Sequence, residues 1–198
     1  MSEHKEGWKR WIPVLERELE IEMKKAPAVS QVHGMDHIQR VWKRCLHLGT
    51  ELNADLEILA AAVYLHDIGR HYIPDKAHGE LSARFAGLVL ERINFPAEKR
   101  ERALHAIRVH DVTFLPEQRD TIESQILYDA DKMETLGVIG ILRYILALYR
   151  TKSIDFILED IEQRWGGFAL PETRKLAKDD YEYITRFFRR LKKETSLS

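Results

Sequence analysis

The chain has a single cysteine, Cys45, among its 198 residues. One thiol cannot close an internal disulfide, and without a Cys-x-x-Cys pair there is no zinc ribbon, so Cys45 is expected as a small buried side chain. No uncharged run approaches the roughly 20 residues that span a bilayer. The opening stretch, MSEHKEGWKR, also lacks the apolar core of a signal peptide. The expectation is a cytoplasmic protein with no membrane association. Excess charge of either sign is missing as well: 31 Lys and Arg face 32 Asp and Glu, for a formal net charge of -1. This excludes an extended basic surface built to neutralise nucleic-acid phosphates, while leaving room for a local basic pocket. There is no internal repeat, low-complexity tract or Ser/Gly-rich linker. With 44% hydrophobic residues, the length suits one sizeable core, and a single domain over 1–198 is expected.

Strict apolar/polar alternation of the strand type is also absent, whereas apolar residues recur at helical spacing throughout, and the fold class read from this is all-α. RWIPVLERELEIEMKK puts Ile12, Leu15 and Leu19 on one face, tolerates Pro13 in its first turn, and should end before Pro27. A second helix starts near Asp36, carries His37, Val41 and Leu48, and stops around Gly49. NADLEILAAAVYLHD offers Asn53 or Asp55 as a cap and Gly69 as a stop, with Pro74 in the loop beyond. Further helices are predicted over 79–92, 97–110, 117–132, 137–149, 154–165 and 172–193, punctuated by Pro96, Pro116 and Pro171. The last carries Tyr183, Phe187, Phe188 and Leu191 among many basic residues, and is expected to dock on the core, with a partner as the alternative.

Two His-Asp pairs occur, His66-Asp67 and His110-Asp111. The first closes the apolar run AVYLHDIGR, where a histidine, a carboxylate and a Gly turn can aim a nitrogen and an oxygen at one point. Such a donor set, free of thiolate, suits a divalent ion and leans away from structural zinc. Other donors have to come from elsewhere in the chain. VHGMDHIQRVW places His37 in a first turn with Arg40 one turn along, and ILYDADKMETLG closes a helix on Asp131 and Lys132.

In combination and order, HGxxH, LHDIG and DADKxExLG resemble the HD-domain metal-dependent phosphohydrolases, from about His33 to Arg143. Segments like HGELSA and AIRVHD are shared with small bacterial and archaeal members of that superfamily. The resemblance implies a compact multi-helix HD bundle with a metal-site core over about 33–143 and helices flanking it on both sides. It implies His37, His66, Asp67 and Asp131 as metal ligands, with Asp129 in support of Asp131 or in its place. His110 matches a separate histidine near the site, and Asp111 matches nothing firm. His78 and His110 correspond to segments that bind a second metal in dinuclear relatives, and both are candidates for contacting substrate phosphate or protonating a leaving oxygen. The sequence departs from the guanosine-tetraphosphate hydrolases, since Arg70-His71-Tyr72-Ile73 follows the HD pair. The Gly-Tyr-Pro signature of cyclic-di-GMP hydrolases is absent too.

The expected function is therefore metal-assisted hydrolysis of a phosphate ester or anhydride in a small substrate, a nucleotide first among them. The cofactor is one divalent ion or two, with Mn, Ni, Co, Fe, Zn and Mg all open, as is homodimerisation. Asp67 holds the ion and orients water, and Arg40, Arg70 and Lys132 contact phosphate oxygens or else form ordinary salt bridges. His4, His33, His47, His71 and His105 are read as structural, with His33 and His71 nearest a pocket. A non-catalytic HD binding module and a di-iron HD oxygenase are the alternatives.

Overall fold

The structure is a computed structural model that describes residues 6–25, 34–72, 78–111, 116–149 and 151–196. Pro27, Pro74, His4, His33 and the His71 side chain lie outside the described residues. Nine α-helices and no strand occur among the described residues. The chain forms two compact units, residues 1–128 and 129–198. No helix of the described residues is long and apolar enough to cross a membrane.

In the first unit the helices are α1 (Ile12–Lys25), α2 (Met35–Glu51), α3 (Leu56–Leu65), α4 (Gly79–Arg92) and α5 (Ala97–Val109). The helix α6 (Ile122–Lys132) carries the chain from this unit into the second. α3 is apolar on every side, with Ile58 to Leu65 all buried, so it can be stable only as a central helix. α1, α2, α4 and α5 pack around it. Asp55 caps α3 by accepting from the N–H groups of Glu57 and Ile58, and Glu123 accepts the Asp55 N–H at 3.0 Å. The helix stops at Leu65 rather than Gly69. His66 and Asp67 thus stand in the turn beyond it, followed by a 3-10 turn over Ile68–His71.

Polar contacts tie that turn to the surrounding helices. The Tyr72 hydroxyl donates to Glu22 Oε2 at 3.0 Å, and Arg92 of α4 donates to Glu18 and Glu22 of α1. Burial pulls the Glu22 carboxyl upward, but hydrogen bonds from Lys25, Tyr72 and Arg92 outweigh it and leave the group below its ordinary value. Tyr64 anchors α3 to α1 through Glu16 at 2.9 Å. Burial together with that carboxylate pushes its phenol upward.

The second unit has its own core of Met133, Leu136, Tyr144, Ile157, Ile161, Phe168, Ala177, Ile184 and Phe188. These come from α7 (Gly137–Ala147), α8 (Ile154–Gly166), α9 (Pro171–Thr195), the segment between α8 and α9, and the 3-10 turn Met133–Thr135 with Leu136 ahead of α7. α9 docks on this core through Phe188, with Leu191 packed against it, and through Ala177 and Ile184, while Tyr183 and Phe187 remain exposed. Trp165 stacks on Tyr181 with centroids 4.3 Å apart. The predicted start of α6 at 117 is late in the structure: a short 3-10 turn occupies Pro116–Gln118, and the α-helix begins at Ile122.

Asp129 is fully buried and accepts the Ala169 and Leu170 N–H groups, both at 2.9 Å, fixing the approach to α9. Asp129→Ala is expected to cost roughly 2–4 kcal/mol, because two backbone donors lose a charged acceptor. Thermal melting measures the loss, and amide exchange at residues 169 and 170 should speed up with it; unchanged protection at both would refute the assignment.

Candidate metal centre

α3 ends where the chemistry begins. His66 keeps helical dihedrals, φ -61° and ψ -35°, and Asp67 turns out of the helix at φ -100° and ψ 6°. The Arg70 N–H donates to the Asp67 carbonyl at 3.0 Å and closes the turn. Gly69 lets this turn lie flat on the start of α4: its N–H donates to Ser82 Oγ at 3.0 Å, and a Cβ there would sit 2.8 Å from the Ser82 backbone nitrogen.

Five side chains meet around the turn. His37 comes from the first turn of α2, His66 and Asp67 from the end of α3, His78 from the residue preceding α4, and His110 from the end of α5. All five are buried, the most accessible being Asp67 at 3%. His66 Nδ1 lies 2.7 Å from the Val63 carbonyl and His110 Nδ1 2.6 Å from the Ile107 carbonyl, each three residues back along its own helix. A carbonyl can only accept, so Nδ1 carries the proton and Nε2 of the neutral ring offers a bare lone pair.

The Nε2 atoms of all four histidines converge on Asp67. Oδ2 is 3.6 Å from His37 Nε2 and 3.5 Å from His66 Nε2, which are 3.4 Å from each other. Oδ1 is 2.7 Å from His78 Nε2 and 3.6 Å from His110 Nε2, which are 2.9 Å apart. Two donor clusters result, His37/His66/Asp67 and Asp67/His78/His110, with all ligand atoms in each within 4.8 Å of one another. Bare Nε2 lone pairs and a carboxylate repel one another at such separations unless a proton or a metal cation lies between them. Nitrogen and oxygen donors without thiolate fit a divalent transition ion or magnesium at either cluster, with the two oxygens of Asp67 serving one cluster each. Arg70 Nε also donates to Asp67 Oδ1, at 2.8 Å.

The structure thus brings together His37, His66, Asp67, His78 and His110. Arg40 pairs with Asp36 at 2.9 Å. Within the second unit, Lys132 Nζ donates to Asp131 Oδ2 at 2.8 Å, and Asp129 has both oxygens engaged by backbone N–H groups. His47 Nε2 lies 3.9 Å from Glu51 and His105 Nε2 2.9 Å from Asp120. Sequence reasoning missed Asp111, whose Oδ2 accepts the Gly79 N–H at 3.0 Å and lies 3.3 Å from His78 Nδ1. Its position next to a site histidine was the available signal.

Residues 34–136 match the model of the HD domain. The curated relative YpgQ of Bacillus subtilis (strain 168), itself described as uncharacterized, is 24% identical over 177 residues, covering 83% of this chain and 85% of that protein. Among solved structures, an HD-superfamily hydrolase from Bacillus thuringiensis is similar with a TM-score of 0.73 and 20% identity, over 96% of this chain and all of that one. A predicted HD superfamily hydrolase from an uncultured Thermotogales bacterium has a TM-score of 0.64 and 24% identity, over 90% and 91% of the two chains. B. subtilis YpgQ in complex with ADP has a TM-score of 0.69 and 21% identity, over 94% and 96%.

The carbonyl contacts lead to a spectroscopic prediction. In metal-free protein, long-range 1H–15N correlation should find His66 and His110 as Nδ1–H tautomers. The opposite tautomer at either ring would remove the bare Nε2 on which the donor geometry depends.

Proposed function

The chain belongs to the HD-domain family, and from that premise we propose that it is a metal-dependent phosphohydrolase acting on a phosphate ester or anhydride of a nucleotide. The observation carrying this reading is the convergence of imidazole Nε2 atoms on both oxygens of one buried carboxylate. His37, His66 and Asp67 would hold one divalent ion, with Asp131 as the fourth ligand on the strength of its motif. Asp67, His78 and His110 would hold a second. The nucleotide is supported by the relative YpgQ, solved in complex with ADP. The near-zero net charge also favours a small anionic substrate over a nucleic-acid polymer.

A bound divalent ion supplies Lewis acidity toward a phosphoryl oxygen and lowers the pKa of water to about 7. The protein's own groups do the rest. Asp67 holds both clusters in register and accepts a hydrogen bond from the attacking water. Arg70 spends only Nε on Asp67, so its Nη nitrogens can receive phosphate oxygens as a fork. Arg40 and Lys132 are further phosphate contacts in this reading, each by exchanging its present carboxylate partner for substrate. Where its own cluster holds no ion, His110 or His78 would first take a proton from solvent on Nε2, and would then give that proton to the leaving oxygen.

The same donors would also accept two irons, which keeps oxygen chemistry as the second reading. A panel of nucleoside mono-, di- and triphosphates with Mn, Co, Ni and Mg separates these outcomes. Phosphate or pyrophosphate release abolished by EDTA is the expected result. Asp67→Ala should empty the site and lower the rate about 100- to 1000-fold, as losing several kcal/mol of charge stabilisation requires, with helical content unchanged. Oxygen uptake by iron-loaded protein without phosphate release would assign an oxygenase. Failure to take up any ion would leave a binding module.

A further inference from the structure

We infer that Asp111 is a positioning residue, which fixes the ring of His78 with a proton on Nδ1 and a bare Nε2 turned toward Asp67. His66 and His110 each stand at the end of a helix, where the carbonyl three residues back takes the Nδ1 proton. His78 precedes its helix rather than ending one. The carboxylate of Asp111 lies beside that ring, with Oδ2 3.3 Å from Nδ1.

The contact is held from both sides. The same Oδ2 accepts the Gly79 N–H at 3.0 Å, so the first turn of α4 and the ring of His78 share one acceptor. Gly79 allows the approach: a Cβ there would meet the Arg108 carbonyl at 2.5 Å and Asp111 Oδ1 at 2.7 Å. His110 and Asp111, adjacent at the end of α5, thus act on one cluster in two ways. His110 presents Nε2 to Asp67, 3.6 Å from Oδ1, and Asp111 orients the ring that approaches Oδ1 at 2.7 Å.

Charge points the same way. The cluster of Asp67, His78 and His110 contains one carboxylate, and that carboxylate is shared with the other cluster. A divalent ion there would be under-compensated by its ligands, and Asp111 places a further negative charge directly behind one of them. Carboxylates hydrogen-bonded to metal-binding histidines act in this way, and their loss typically costs 10- to 100-fold in metal affinity. The role toward an ion rests on the function proposed above, whereas the orientation of His78 does not.

The test uses the full chain with Asp111→Ala and Asp111→Asn. In metal-free wild type, long-range 1H–15N correlation should show His78 as the Nδ1–H tautomer. Asp111→Ala should lose that preference and weaken the second equivalent of Mn by about 10- to 100-fold, leaving the first equivalent in place. Asp111→Asn keeps an oxygen for Gly79 and Nδ1 and should restore the tautomer with part of the affinity, which a merely structural role would not separate. Should Asp111→Ala fail to fold, Asp111→Asn carries the test through its intermediate Mn affinity. A wild-type tautomer and wild-type Mn binding in whichever variants fold overturn the inference. If wild type takes up no Mn at all, the proposed function fails, and the tautomer comparison alone still decides for or against Asp111.

Discussion

A carboxylate buried at the end of the central helix is the constraint around which the first unit is arranged. Asp67 is 3% exposed, and removing an ionised group from water costs several kcal/mol unless opposite charge or hydrogen-bond donors replace the solvent. Arg70 answers part of that requirement at Oδ1. Imidazoles crowd the rest, two at each oxygen. The Nε2 atoms of His66 and His110, with the proton held on Nδ1, cannot donate to that carboxylate, so the arrangement makes electrostatic sense around cations.

Helix ends supply the precision that such a site needs. At the close of α3 and of α5 a histidine reaches back to its own helix, so its ring direction follows from the helix itself and needs no further side chain. Rigid elements hold ligands better than loops do. Here the central helix is locked by an all-round apolar surface, and the turn beyond it is pinned through Gly69, Ser82, Tyr72 and Glu22. The second unit owes its order to a separate apolar cluster and to the buried Asp129 that leads into α9.

Much of this was legible in the sequence, since helical periodicity gives the all-α class and nearly every helix with its approximate limits. The errors have local causes. The apolar run through Leu65 gave no sign that the α-helix would yield to a 3-10 turn before Gly69, because the distinction depends on Gly69 pressing against Ser82. His37, His66 and Asp67 were recognisable from their motifs, and the structure gathers them. His78 and His110 were also recognisable as a candidate second pair, but that they face the other oxygen of Asp67 was not, because 32 residues separate those histidines and only the packing of α4 on α5 joins them. Asp111 matched no motif, and apart from its place next to His110 nothing in the sequence shows that its carboxylate lies beside His78.

The joint use of His110 and Asp111 has a consequence for how the chain can vary in length. An α-helix turns by about 100° per residue, so one residue inserted or deleted within α5 would swing both side chains off their targets together. The same step would turn Ala103, Leu104, Ala106 and Ile107 out of the core they now fill. Insertions that leave the histidine cluster intact have to fall outside α5, which makes this helix a fixed-length spacer between the interior of the unit and that cluster.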